Sequence, residues 1–214
     1  MAKCIIVGSG NLTPQIIKEK EDFLIAADGG FITCEEQGVK VDVLLGDFDS
    51  LPDHRRSILE EWKRERKDDL LILPTVKDDT DMIAAVKYGF ERGYKEFALY
   101  GAFGSKRPEH FLANLQTLLY IKENHGEGTL FTPDGYAIVL QEESKRISSL
   151  YKGFVSVLSA GDEATVSIRG MKYNIEETRI TNGFPLGVSN ETIGEESTIE
   201  VHSGSVFVIF SRYD

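Results

Sequence analysis

Two short acidic runs, Gly46-Asp47-Phe48-Asp49-Ser50 and Lys77-Asp78-Asp79-Thr80-Asp81, carry the residue types in this chain best suited to chemistry. Each follows an apolar run that reads as a buried strand, Val41-Asp42-Val43-Leu44-Leu45 before the first and Leu70-Leu71-Ile72-Leu73 before the second. In an open α/β sheet, ligands bind beyond the carboxyl ends of the strands. Carboxylates gathered there repel one another, at roughly 4 kcal/mol for a pair about 4 Å apart at an effective dielectric near 20. A hard divalent cation removes that cost, and Mg²⁺ prefers oxygen ligands. The pattern predicts a metal site that receives a phosphate-bearing substrate.

Asp47 and Asp49 are two residues apart, so on extended chain both side chains point to one side and reach one metal or two adjacent ones. Gly-Asp is also a turn signal, but Asp53 is better placed to cap the helix that follows. In the second run, capping and the helix dipole explain some of the acid. Asp78 and Asp81 are read as functional, Asp79 as a solvated spacer, and Lys77 as a point charge for a phosphate. Glycine-bearing turns recur after other strand-like runs: Gly8-Ser9-Gly10-Asn11, Asp28-Gly29-Gly30 and Gly101-Ala102-Phe103-Gly104-Ser105. None is a P-loop, since no Gly-Lys-Ser/Thr ending opens a helix, and none is a full dinucleotide fingerprint. Arg107, in Lys106-Arg107-Pro108-Glu109-His110, can grip phosphate in a bidentate manner. His110 has both a packing and a catalytic reading, and the helix beyond it carries Asn114.

The elements that must position these residues alternate along the first part of the chain. Strands are predicted at 3–7, 23–27, 42–45, 70–73, 96–100 and 129–132, and helices near 13–20, 31–37, 53–66, 79–92 and 109–123. Such alternation implies an open, mainly parallel sheet with helices on both faces. Past residue 141 the helical period disappears, and the polar stretch Gln141–Arg146 reads as a connection. Short runs at 154–158, 165–168, 197–201 and 206–210, broken by glycines, predict an antiparallel β-sandwich. The fold class is therefore α/β followed by a C-terminal antiparallel β-sandwich domain, with the boundary drawn as 1–141 and 142–214. The hairpin-like piece Thr129–Leu140, turning at Pro133-Asp134-Gly135, fits either half.

Bulk properties exclude some classes. The 214 residues carry a net charge of −11, against the basic surface that non-specific nucleic-acid binding needs. There are two cysteines, Cys4 in the strand-like run Cys4-Ile5-Ile6-Val7 and Cys34 after an apolar pair on a predicted helix, and both read as small buried hydrophobes in a reducing compartment. The first apolar run is too short for a signal peptide or membrane span, so no membrane association and a cytoplasmic location are expected.

Taken in order, Ala27-Asp28-Gly29-Gly30, Gly46-Asp47-Phe48-Asp49-Ser50, Lys77-Asp78-Asp79-Thr80-Asp81 and the glycine turn leading to Arg107-Pro108-Glu109-His110 resemble the motifs of the thiamin pyrophosphokinase family. Gly170-Met171-Lys172-Tyr173 and Gly187-Val188-Ser189-Asn190-Glu191 resemble its later motifs, so the resemblance spans nearly the whole chain. It implies Mg²⁺-dependent transfer of the pyrophosphoryl group of ATP to the hydroxyl of thiamin, giving thiamin diphosphate and AMP. It further implies a homodimer with thiamin held at the subunit interface. Asp47, Asp49 and Asp81 would hold Mg²⁺, and with Lys77 and Arg107 they would be catalytic. Gly8, Asp28, Gly29, Asp78, Gly101, Arg107, His110 and Asn114 would serve ATP. Ser189, Asn190 and Glu109 would serve thiamin. Glu109 stands where the family has Asp, and Phe31-Ile32 replaces a small-then-polar pair. Phe184 and Tyr173 are candidates for an aromatic against the thiamin ring. Two other readings stay open: the same chemistry on a different hydroxymethyl compound such as a pterin, and a non-catalytic nucleotide or metal sensor.

Overall fold

Strand β1 (Cys4–Val7) is four buried apolar residues, a run that needs cover on both faces. It pairs in parallel with β2 (Phe23–Ala27) on one side and β5 (Glu96–Tyr100) on the other. Beyond β2 lie β3 (Val43–Gly46) and β4 (Leu70–Ile72), and beyond β5 lies β6 (Glu127–Thr132), every pairing parallel. The order is β6-β5-β1-β2-β3-β4. The chain steps outward from β1 to β4 and then returns to the other side of β1. That reversal makes a switch point between β1 and β5, where a crevice opens at their carboxyl ends. This computed structural model describes residues 2–10, 13–49, 56–76, 78–104 and 107–213.

Four helices alternate with the parallel strands along the chain: α1 (Gly30–Glu36), α2 (Arg56–Glu65), α3 (Asp81–Glu91) and α4 (Pro108–Glu123). Right-handed crossovers put the helices of the outward and return steps on opposite faces. Packing agrees. Phe31 and Cys34 of α1, with Ile58, Leu59 and Trp62 of α2, share a core with Ile5, Val7, Leu24, Ala26 and Leu44. On the other face α3 buries Met82, Ala85 and Val86, and its Phe90 ring meets Phe97 of β5 at 4.6 Å. Cys4 and Cys34 are both buried thiols, and burial pushes each up to about 12. Cys34 packs in the α1 core, while Cys4 alternates with Ile5 and points to the opposite face.

The helix predicted at 13–20 is not formed. Residues 13–19 run without regular structure, and only Ile16 of the Ile16-Ile17 pair is buried. The Gln37 side chain supplies what helical bonds would have supplied: its Oε1 accepts from the Ile16 N–H at 2.8 Å, and its Nε2 donates to the Pro14 carbonyl at 3.2 Å. Asp53, the cap predicted for α2, lies outside the described residues.

The chain divides into two units, Met1–Thr117 with His125–Pro133, and Leu118–Asn124 with Asp134–Asp214. The hairpin-like piece is split, β6 going to the first unit and β7 (Gly135–Gln141) to the second. The second unit holds β8 (Ser144–Ile147), β9 (Gly153–Ser159), β10 (Glu163–Arg169), β11 (Ile175–Thr181), β12 (Gly187–Glu191), β13 (Ser197–Ser203) and β14 (Ser205–Arg212). Strands β12-β9-β14-β7 form one antiparallel set and β11-β10-β13-β8 another. Val155, Val157, Val206, Val208 and Phe210 of the first share a core with Ile147, Val166, Ile168, Ile199 and Val201 of the second, as in a sandwich.

The polar stretch read as a connection holds the first three residues of strand β8, which ends at Ile147. Three of its residues are exposed and only Ile147 is buried, as suits an edge strand bonded to β13 alone. Among the described residues no helix is long and apolar enough to cross a membrane.

Candidate active site

The switch point is built of backbone. The Gly8 N–H donates to the Tyr100 carbonyl at 2.8 Å, and the Gly10 N–H to the Gly101 carbonyl at 2.8 Å. Gly101 has φ +60°, and a Cβ there would lie 2.1 Å from the Gly8 carbonyl oxygen. Buried Asn114 holds the β5 turn from the helix side, its Nδ2 donating to the Ala102 carbonyl at 2.9 Å.

Asp28 follows β2 in the left-handed region, φ 49°, with its N–H on the Leu45 carbonyl at 2.7 Å. Ser9 of the β1 turn reaches across. Its hydroxyl donates to Asp28 Oδ2 at 3.3 Å and accepts from the Gly29 N–H at 3.1 Å. Asp47 and Asp49 share a side for a different reason than extended geometry. Phe48 between them is left-handed, φ 57°, its ring buried in the α1–α2 core. The Asp49 N–H donates to Asp47 Oδ1 at 3.2 Å, closing a local turn. Burial of the ring holds a conformation that a bulky residue otherwise avoids.

Past the loop that follows β4, Thr80 caps α3, its hydroxyl accepting from the Ile83 N–H at 3.3 Å, and Asp81 occupies the first turn. Asp79 is held by Lys87, whose Nζ lies 2.8 and 2.7 Å from its two oxygens. Helix α4 starts at Pro108 and presents His110, Ala113 and Asn114 together, the i, i+3, i+4 stripe of a helix. Arg107 Nε donates to Glu109 Oε1 at 2.7 Å, and this bond holds the Glu109 carboxyl below the usual range.

These turns surround one cavity of about 620 Å³ in the first unit. Asp28, Asp47, Asp49 and Asp81 line it, with Gly8, Gly101, Arg107, His110 and Asn114. Gly29 and Glu109 do not line it; each bonds a residue that does, Gly29 to Ser9 and Glu109 to Arg107. Asp79, read as a spacer, lines the cavity, and exposed Asp78 does not. Lys77 lies outside the described residues. Ser9 and Thr75 also line the wall, and the sequence reading passed over both. A hydroxyl between two glycines at a strand end was the available signal for Ser9. Among the described residues no three carboxylate, imidazole or thiol groups are drawn together as a ready-made metal cage.

Ser189 and Asn190 belong to the second unit, on β12. Ser189 is left-handed, φ 57°, with its N–H on Ser156 Oγ at 2.9 Å. Asn190 is buried; its Oδ1 accepts from the Tyr173 N–H at 3.0 Å and from the Glu191 N–H at 2.9 Å, and its Nδ2 donates to the Tyr173 carbonyl at 2.7 Å. Its direct effect is to present Tyr173, whose side chain is exposed, as is that of Phe184.

Comparison with known proteins bears on both units. Residues 15–128 match the family model described as thiamin pyrophosphokinase, catalytic domain, and residues 138–206 match that of its vitamin B1 binding domain. A thiamine pyrophosphokinase of Bacillus subtilis is 29% identical over 217 residues, covering 95% of each chain. The crystal structure of a thiamin pyrophosphokinase from Geobacillus thermodenitrificans superposes with a TM-score of 0.82 at 25% identity, covering 99% of this chain and 98% of that one. A thiamin pyrophosphokinase family protein from Enterococcus faecalis shares the fold, with a TM-score of 0.83 at 22% identity over the full length of both chains.

Proposed function

Because the chain belongs to the thiamin pyrophosphokinase family, we propose that it transfers the pyrophosphoryl group of ATP to the hydroxyl of thiamin, giving thiamin diphosphate and AMP. The observation that carries this reading is the switch-point cavity, which gathers Asp47, Asp49 and Asp81 with Arg107 and His110. The thiamin oxygen attacks the β-phosphorus, the bond from that phosphorus to the α–β bridging oxygen breaks, and AMP departs with the bridging oxygen. The protein has little covalent work to do, so rate comes from alignment and charge neutralisation.

Asp47, Asp49 and Asp81 would hold Mg²⁺. Their donor set fits: all are hard oxygens in one cavity, and Mg²⁺ is commonly held by one or two carboxylates, waters and substrate phosphates rather than a complete protein cage. When bound, the ion neutralises phosphate charge. Arg107 would orient the phosphates through its planar fork, with Lys77 as a second cation. The glycine turns at Gly8 and Gly101 allow close backbone approach of the nucleotide, beside Asp28, His110 and Asn114. A cavity carboxylate accepts the hydroxyl proton. Ser189 and the Tyr173 held by Asn190 would serve thiamin. The exposed apolar side chains Tyr173, Phe184, Leu186, Val188 and Ile193 support a homodimer that covers part of this surface. ATP as the donor agrees with a cytoplasmic location.

The test is product analysis by mass spectrometry with ATP, Mg²⁺ and either thiamin or a hydroxymethylpterin. Thiamin diphosphate from thiamin alone is the expected result. A diphosphate of the pterin alone would overturn the substrate, and ATP binding without turnover of either would favour a sensor.

A further inference from the structure

We propose that Lys87 is a positioning residue: by holding Asp79, it decides which carboxylates of the cavity are open to a cation. This rests on the reading of the cavity as a metal–nucleotide site. Asp79 stands two residues before Asp81, and both line the cavity with Asp28, Asp47 and Asp49. Lys87 does not line it. Lys87 lines an adjoining apolar groove of about 360 Å³, walled by Leu45, Leu71, Leu73 and Tyr88, to which Asp79 also belongs. Asp79 is thus a partition between the two spaces, and the ammonium meets it from the groove side. Side chains on a helix lean toward its N-terminus, which brings Lys87 of α3 back to the residue before the cap.

With Nζ at 2.8 and 2.7 Å, both Asp79 oxygens are engaged by the ammonium. The side chains are 43% and 38% exposed, so the pair contributes little to stability. Its consequence lies in the site. Asp79 is withdrawn as a ligand, the cation set becomes Asp47, Asp49 and Asp81, and one negative charge facing the triphosphate is neutralised without a cation entering the cavity.

The test reads binding, not turnover. In Lys87→Met, Mn²⁺ followed by electron paramagnetic resonance binds the nucleotide-free protein several-fold more tightly. Metal-free ATP, measured by calorimetry, binds about tenfold more weakly, equivalent to roughly 1.4 kcal/mol. Asp79→Asn/Lys87→Met restores both values, because the pair is then neutral again, and Lys87→Arg keeps wild-type values. Lys87→Gln serves as a second neutral variant should Lys87→Met fail to fold. Unchanged Mn²⁺ affinity, or equal changes in the single and double variants, would reduce the pair to a tether and overturn the proposal. Thiamin is absent throughout, so a failure of the assigned reaction would be seen separately.

Discussion

Gly101→Ala tests whether the crevice depends on backbone touching backbone. Alanine at φ +60° pays the left-handed cost of about 1–2 kcal/mol. Its Cβ would also lie 2.1 Å from the Gly8 carbonyl oxygen, so one turn must retreat by roughly 1 Å against bonds of 2.8 Å that hold Gly8 to Tyr100 and Gly10 to Gly101. Overpacking of that kind costs about 1–3 kcal/mol, for a total of about 2–5 kcal/mol. Gly38 is the control, with φ +66° and nothing within 4 Å of a Cβ, so Gly38→Ala pays the backbone cost alone. Urea unfolding followed by the fluorescence of Trp62, the single tryptophan, reads the first unit through the core it packs against. Gly101→Ala should unfold at clearly lower urea than Gly38→Ala. Its kcat/KM should fall by about 10²-fold, the effect of roughly 1 Å of misplacement, while Gly38→Ala keeps its activity. Equal unfolding midpoints, or wild-type activity in Gly101→Ala, would refute the reasoning.

Asp49→Asn should cut kcat by about 10²–10³-fold with stability changed by less than about 0.5 kcal/mol, and near-normal activity would remove Asp49 from the site. Asn114→Ala removes the amide bonded to the Ala102 carbonyl and should cost about 1–3 kcal/mol in urea unfolding, with a rise in the KM for ATP. Burial raises both thiols from 9.0 to about 12, so the stabilisation they carry is complete below about pH 9 and is lost as pH climbs toward 12. Urea midpoints should therefore fall over that window. A thiol reagent near pH 8 should modify neither Cys4 nor Cys34 until the chain unfolds, and rapid modification of the native protein would contradict this.

The parallel strands were legible because continuous apolar runs bounded by turn residues have few other fates, and 23–27 and 96–100 match the observed strands end to end. The illegible parts are those where distant partners replace local signals. Residues 13–20 have helical composition, yet Gln37 binds their backbone across the fold. Strand β8 is written in exposed polar residues because it needs to bury only Ile147. In the site, the carboxylates were legible as a set at strand ends, but their individual parts were not. Only the three-dimensional structure brings Lys87 to Asp79 and Ser9 to Asp28, and only it turns Phe48 inward to aim Asp47 and Asp49.

The central claim is tested most directly by following the β-phosphorus. ATP labelled there and incubated with thiamin, Mg²⁺ and the protein should put the label in thiamin diphosphate, with one unlabelled AMP formed for each. Label retained in ADP alongside thiamin monophosphate, or ATP consumed without any phosphorylated thiamin, would contradict pyrophosphoryl transfer.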